Sequence, residues 1–305
     1  MTIERIPITS RDQWLARRKF DITASSIGAV FGCHQYTTPL RLFTEKQGLV
    51  KLPEVDGTAL RRGRILEAAV PGAVVEERPE WRIEKATDYF SDPVIGIGAT
   101  PDFFITNDPR GLGVLQAKTT VPSVYDQHWQ NGRPPRWVEL QVATEMMLTD
   151  AAFGVVACLV IDPFDLPCII VEQTRDPVLE QQIREQVVKF WQDVHDGNEP
   201  DTDYGLDRDL LKQLFPKETT EGPVNLADDD EAVAGLGERR DLKEQIKRAE
   251  ERCRQIETLI MDRMQTAAYA TAPGFSITWK VQHRKEHVVP ASSPRVLNIR
   301  SKRAT

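Results

Sequence analysis

From Phe153 to Ile161 every residue is apolar or small, and no polar position breaks the run. A half-exposed strand alternates polar and apolar residues, so this run is expected of a strand buried on both faces. That demand points to a sheet with covering layers. A chain of 305 residues is long enough to supply them. Hydrophobic residues at 40% against 28% charged fit a globular chain and exclude a disordered one.

The surrounding pattern names the layers. Gln13 to Phe31 reads as helix, turn and helix, opened by Trp14 and Leu15, with Thr23-Ala24-Ser25-Ser26 as an N-cap cluster before Ile27. Thr38-Pro39 opens a helix through Leu40, Leu42, Phe43 and Lys46, stopped by Gly48. Thr58 to Val70 is a third helix, expected to break at Pro71-Gly72. Short strands follow at Ala86 to Phe90 and Val94 to Ile97. Two more, Asp102 to Thr106 and Gly113 to Lys118, flank the turn Asn107-Asp108-Pro109-Arg110-Gly111. Trp137 to Leu148 has helical spacing, Cys168 to Gln173 is a strand, and Asp176-Pro177 caps a helix from Val178 to His195. The expected core is one mixed-sheet α/β domain over 1–198.

The remainder has a different texture. Residues 199–235 read as an acidic linker with a short helix at Leu210 to Phe215; Glu199 to Glu231 holds eleven acids against three bases. Residues 236–305 read as a long amphipathic helix, a strand at Phe275 to Gln282 and a basic tail. In that helix Leu242, Ile246, Ala249, Cys253, Ile256, Ile260 and Met264 follow one another at steps of four and three, a near-heptad seam. The expectation is a helix packed on its own domain, with self-association or a partner helix as the alternative.

A net charge of −7 argues against a protein that coats nucleic acid by bulk charge. Its distribution is uneven, with seven bases and one acid from Lys280 to Thr305, so a local basic surface stays possible. Cys33, Cys158, Cys168 and Cys253 form no C-x-x-C pair and read as reduced thiols in or near the core. No apolar run reaches bilayer length, and Met1 to Arg5 lacks the grammar of a signal peptide, so a cytoplasmic protein is expected. G-x-x-x-x-G-K-[ST], G-x-S-x-G and H-E-x-x-H are all absent, and the histidines lack ligand spacing.

The chemistry concentrates in Gly98-Ala99-Thr100-Pro101-Asp102 and Gln116-Ala117-Lys118. On the hairpin above, Asp102 and Gln116 come side by side, and strand alternation points Lys118 to the same face as Gln116. An acid, a side-chain oxygen and a lysine on one patch are what metal-dependent phosphodiester hydrolysis needs. Glu67 in Gly63-x-x-x-Glu67 can deliver a second acid from a helix, and Gln141 adds a polar group on the helix after the lysine strand.

In this order the motifs Trp14…Arg18…Thr23-Ala24-Ser25, Gly63-x-x-x-Glu67, Thr100-Pro101-Asp102, Gln116-x-Lys118 and Gln141 resemble the YqaJ-like viral recombinase (phage lambda exonuclease) family. That family belongs to the PD-(D/E)XK nuclease superfamily, and the resemblance runs from Trp14 to His195. It implies a restriction-endonuclease-like core, a mixed central sheet flanked by helices, with a C-terminal helical and strand extension. It implies metal ligation by Glu67, Asp102, Gln116 and the Ala117 carbonyl, with Lys118 as catalytic lysine and Gln141 beside it. Arg18 and Ser25 match residues that receive a 5′-phosphate, and Thr100 stands where that pocket has a serine. The implied cofactor is Mg²⁺, with Mn²⁺ as substitute. The implied partners are double-stranded DNA ends, further copies in a ring-like homotrimer and a single-strand annealing protein, in a bacterial host cytoplasm.

Two departures qualify this. The usual Glu of the E-x-K motif is Gln116, a neutral ligand, which implies altered metal affinity. The family's arginine just after the lysine strand has no counterpart in Val121 to Tyr125; Arg133 or Arg136 is the available substitute. The expected activity is therefore a Mg²⁺-dependent exonuclease of linear duplex DNA, 5′ to 3′. The alternatives are a structure-selective or restriction-like endonuclease, or a DNA-binding or assembly protein with a decayed site.

Overall fold

The computed structural model describes residues 2–50, 58–218 and 222–283, together with 297 and 299. The basic tail expected after Lys280 lies largely outside the described residues. The chain divides into two compact units, Met1–Leu214 and Phe215–Thr305.

In the first unit, β1 (Glu4–Pro7) leads to α1 (Arg11–Arg18), capped by the Ser10 side chain. β2 (Ile22–Thr23) runs through a 3-10 turn, Ala24–Ser26, into α2 (Ile27–Val30), and α3 (Pro39–Lys46) follows. α4 (Thr58–Leu66), a second 3-10 turn at Glu67–Ala69 and α5 (Val70–Glu77) come next. Pro71-Gly72 was expected to end a helix, but it lies in the first turn of α5. Proline there has no hydrogen bond to lose, so it starts a helix as readily as it stops one.

The strands β3 (Ile83–Lys85), β4 (Asp88–Asp92), β5 (Ile97–Ala99), β6 (Phe103–Ile105) and β7 (Gly113–Thr120) precede α6 (Pro122–His128) and α7 (Arg136–Thr149). β8 (Phe153–Val160), β9 (Cys168–Thr174), α8 (Pro177–Asp196) and α9 (Arg208–Leu214) complete the unit. The main sheet has the order β3-β6-β7-β8-β9. Only β7 and β8 are parallel in it. A smaller sheet, β1-β4-β5-β2, lies beside it in the chain's order.

β8 is buried at every position, as its unbroken apolar run requires. Alternation sorts its side chains onto two faces. Phe153, Val155, Ala157 and Leu159 join Val70 and Val74 of α5, while Val156, Cys158 and Val160 join α7 and α8 through Val142, Met146, Ile183 and Val187. Gly154 interrupts the series because α7 presses on it: a Cβ there would stand 2.3 Å from Val142 Cγ1. α7 is buried from Val138 to Leu148 with Glu139 as the exception, and so carries little amphipathic pattern.

The stretch read as a loose linker is partly structural. Leu210 of α9 is fully buried, and the buried Asp207 accepts a 2.6 Å hydrogen bond from the Thr38 hydroxyl. In the second unit α10 (Asp230–Met264) is followed by a hairpin of β10 (Tyr269–Ala272) and β11 (Phe275–Thr278). α10 begins earlier than the seam suggested, because Asp229 caps its N-terminus. Of the cysteines, Cys158 is buried, Cys33 and Cys168 are half-buried, and Cys253 is exposed on α10 rather than near a core. Among the described residues no helix is long and apolar enough to cross a membrane.

Candidate active site

β6 and β7 pair with Phe103 opposite Leu115, which sets Asp102 and Gln116 together at the next step. The Gln116 side-chain amide donates to Asp102 Oδ2, and the Ala117 backbone N–H donates to the same oxygen at 3.0 Å. Two residues along β7, Lys118 Nζ donates to Gln141 Oε1 at 3.0 Å and lies 5.2 Å from the Trp137 ring centre. Gln141 passes the chain on, its Nε2 donating to Glu145 Oε1 at 3.0 Å. Glu67, in the 3-10 turn after α4, is ion-paired with Lys85 of β3. The structure thus pairs Asp102 with Gln116 and Lys118 with Gln141, the two pairs and Glu67 being linked to one another through charge.

Burial dominates the electrostatics. Desolvation pushes the Asp102 carboxyl up to about 6; Lys118 opposes the shift and Glu67 adds to it. Desolvation holds Lys118 below the ordinary lysine range, against the attraction of Asp102 and Glu145. Glu145 is completely buried, and desolvation with repulsion from Asp102 raises it to about 8. At neutral pH it therefore holds a proton. Its Oε2 has no hydrogen-bond partner, an arrangement a carboxylate tolerates far less than a carboxylic acid.

Among the described residues, no three His, Cys, Asp or Glu side chains are grouped to hold a metal ion. The set expected here needs fewer acids: the carboxylates of Glu67 and Asp102, the Gln116 amide oxygen and the Ala117 carbonyl. Gln116 Oε1 is buried without a hydrogen-bond partner while its amide nitrogen is engaged by Asp102. A buried oxygen left open on the side chain that contacts Asp102 fits a hard divalent cation.

A second polar cluster adjoins the first through Gly98-Ala99-Thr100-Pro101-Asp102. Arg18, at the end of α1, lies over the Trp14 ring at 4.3 Å and donates from Nη2 to Ser25 Oγ at 3.0 Å. Trp14 Nε1 donates to Thr100 Oγ1 at 3.1 Å. Thr23 and Ser26 close a capping box beside Ser25. Below, Lys46 Nζ donates to the backbone oxygens of Arg18 and Asp21, each at 2.8 Å. The Asp21 carboxylate accepts from Tyr89 and Ser91, each at 2.9 Å. β2 pairs with β5 here, Thr23 opposite Gly98. Gly98 must lack a side chain, since a Cβ would fall 2.0 Å from the Tyr89 hydroxyl. A guanidinium, two hydroxyls and a helix-entry turn on a fixed base are groups suited to a phosphate.

Arg136 is ion-paired with Glu139, and Arg133 is exposed. The sequence reading passed over Glu145 and Lys85, and gave Trp137 and His34 no place at the site. Glu145 was legible as the i+4 neighbour of Gln141 on one helix face. His34 packs on Trp137 at 4.9 Å, and burial, helped by Lys118, lowers it to about 4, so it stays a neutral ring beside the lysine. Nothing local marked Lys85, whose place follows from β3 pairing with β6.

The chain is similar to known proteins over much of its length. Residues 13–152 match the model of the YqaJ-like viral recombinase domain. The chain is 25% identical over 282 residues to the uncharacterized protein YqaJ of Bacillus subtilis (strain 168), covering 89% of this chain and 83% of that one. Its fold is similar to the crystal structure of an alkaline exonuclease, LHK-Exo, from Laribacter hongkongensis, at a TM-score of 0.50 and 20% identity; 66% of this chain and 98% of that one are covered. The same exonuclease in complex with dAMP gives a TM-score of 0.51 at 21% identity. The mixed sheet between helices is thus a restriction-endonuclease-like core. Residues 13–152, a little under half of the chain, are thus similar to the YqaJ-like viral recombinase domain.

Proposed function

We propose that this chain is a metal-dependent deoxyribonuclease of phage type, an exonuclease that degrades linear duplex DNA from its end, 5′ to 3′, to expose single strand for recombination. The observation that carries the reading is the convergence of Asp102, Gln116 and Lys118, with a buried oxygen of Gln116 left open. The protein of similar fold is named an alkaline exonuclease and has been crystallised with dAMP, which supports a nuclease reading.

Glu67, Asp102, Gln116 and the Ala117 carbonyl would hold the ion, with Mg²⁺ the natural occupant and Mn²⁺ a substitute. A divalent cation there supplies polarisation of the phosphate and a more acidic water. Lys118, aimed by Gln141, supplies a donor for the charge that develops on the phosphate oxygens. Asp102 is kept in place by two donors on Oδ2, and its other oxygen would be available to the ion. Arg18, Ser25 and Thr100 receive the terminal 5′-phosphate and so register the strand end against the site. By the family resemblance the working form is a ring-like homotrimer in a bacterial host cytoplasm, passing its product to a single-strand annealing protein.

The test uses end-labelled linear duplex with 5′-phosphate or 5′-hydroxyl ends, with and without Mg²⁺, beside a covalently closed circle. Loss of label from the linear substrate alone, only with metal and faster from 5′-phosphate ends, is expected. Cutting of the closed circle would make the chain an endonuclease, and inertness in every divalent metal would make it a binding protein.

A further inference from the structure

α7 carries a buried acid that the proposed chemistry leaves unused. Glu145 is completely buried, its Oε1 accepts from Gln141 Nε2 at 3.0 Å, and its Oε2 has no partner. Burying a carboxyl group with one oxygen unanswered costs stability, and an apolar side chain would fill the same place without that cost. What the acid supplies lies one step further along the chain of contacts.

Gln141 has two unlike ends on one planar amide. Its oxygen and nitrogen are nearly equal in size, so the partners at each end decide which way round it sits. At one end stands Lys118, whose ammonium has only donors to offer. The oxygen alone can meet it, as it does at 3.0 Å. The nitrogen is then turned toward Glu145 and needs an acceptor. Glu145 Oε1 is one whether the group is ionised or carries its proton on Oε2. The interposed amide matters electrically as well. An ionised acid touching Lys118 would neutralise the ammonium, whereas an amide orients it and leaves its charge to act on a phosphate.

We propose that Glu145 is a positioning residue: by accepting from Gln141 Nε2 it holds the Gln141 oxygen toward Lys118, and so keeps the ammonium aimed at the reacting phosphate. The effect on rate rests on the nuclease reading above; the orientation of the amide does not. Without the acceptor, Gln141 is free to turn over and set its own N–H groups against the lysine, which then loses its aim but not its place in the fold.

The experiment measures kcat and KM on linear duplex at saturating Mg²⁺ for wild type, Glu145→Leu, Glu145→Gln, Gln141→Leu and the double leucine variant. Glu145→Leu removes the acceptor and should lower kcat by roughly tenfold to a hundredfold, with KM and the Mg²⁺ requirement unchanged. Glu145→Gln keeps an acceptor and should recover most of kcat. Gln141→Leu should cost about as much as Glu145→Leu, and the two together no more than either alone, because they break one arrangement. If Glu145→Leu melts well below wild type, Glu145→Met, with its unbranched side chain, takes its place. A readout that needs no activity comes from protein labelled at the glutamine side-chain nitrogen. The Gln141 amide, identified by its loss in Gln141→Leu, should exchange its protons slowly in wild type and Glu145→Gln and quickly in Glu145→Leu. Wild-type kcat in Glu145→Leu overturns the proposal, as do additive losses in the double variant. So does a Gln141 amide that exchanges alike with and without the acceptor. Inertness of wild type in every divalent metal overturns the nuclease reading instead, and the amide then decides the orientation by itself.

Discussion

At Thr100 the segment Gly98–Asp102 joins a cluster whose buried polar groups are answered: Trp14 binds Thr100, Arg18 binds Ser25, and Tyr89 and Ser91 bind Asp21. Two residues on, at Asp102, it joins a chain that is not. Among the described residues, the buried side-chain oxygens with no partner are Gln116 Oε1 and Glu145 Oε2, and both belong to that chain. Asp102 and Glu145 are pushed up and Lys118 down by the same desolvation. The difference fits the roles proposed for the two ends. A recess that holds a preformed anion is best rigid and satisfied, whereas a site that stabilises charge only as it develops keeps its groups unsatisfied beforehand.

The comparison breaks most openly at Lys118 and Asp102. Each changed to Ala should lower hydrolysis of linear duplex on the order of a thousandfold or more, with circular dichroism and melting nearly unchanged. Asp102→Ala should also lose metal binding by calorimetry, and Lys118→Ala should keep it. Near wild-type digestion by either variant removes the site from this end of the segment.

Glu145 tests the energetic half of the contrast. Its folded-state pKa lies above its ordinary value of 4.5, at about 8. The folded chain thus holds a proton there that the unfolded chain has released, and stability falls as pH rises from the one value to the other. Glu145→Gln keeps an acceptor for Gln141 and removes the titration. Denaturant midpoints at pH 6 and pH 9 should show the wild-type loss reduced by a few kcal/mol in the variant. Equal losses in both proteins would mean that Glu145 is not the group that titrates.

Gln116 sharpens the contrast further. Gln116→Glu should lower the Mg²⁺ concentration for half-maximal activity, and Gln116→Ala should raise it about tenfold. Mn²⁺ should serve the wild type at lower concentration than Mg²⁺. Identical metal titrations for the three proteins would mean that the open oxygen is not a ligand.

The smallest effect belongs to the satisfied end. Arg18→Ala should cost up to about tenfold in preference for 5′-phosphate over 5′-hydroxyl ends, while cleavage of 5′-hydroxyl ends stays close to wild type. An unchanged ratio would take Arg18 out of the recess.

How far all this was legible depended on range along the chain. The buried strand at Phe153, the Asp102–Gln116 pairing and the caps at Thr38 and Asp176 are local matters of alternation and turn chemistry, and reading them needed a few residues at a time. β1 and β3 escaped because each is a short edge strand whose partner, β4 or β6, is far away in sequence or carries no pattern pointing back. Gln141 drew notice and Glu145 did not, although one turn of helix separates them. A carboxylate on a helix ordinarily faces solvent, and only the layers closing over α7 reveal that this one does not. The heptad seam was visible, but whether its own domain would cover it is a matter of packing that no periodicity encodes.

The parallel pairing of β7 with β8 has a consequence for the protein's birth. A parallel neighbour cannot be reached by a tight turn, so the chain must travel through α6 and α7 before β8 can dock. Lys118 lies before that excursion, Gln141 and Glu145 lie within it, and the strand that buries them comes after it. A nascent chain on the ribosome that has not yet released Val160 has the ligands of Asp102 and Gln116 written but no wall to dry them. Slow, non-local closure of this kind makes the site one of the last features to form during synthesis. On the proposed function, such a chain would lack its dried site until it has been made as far as Val160.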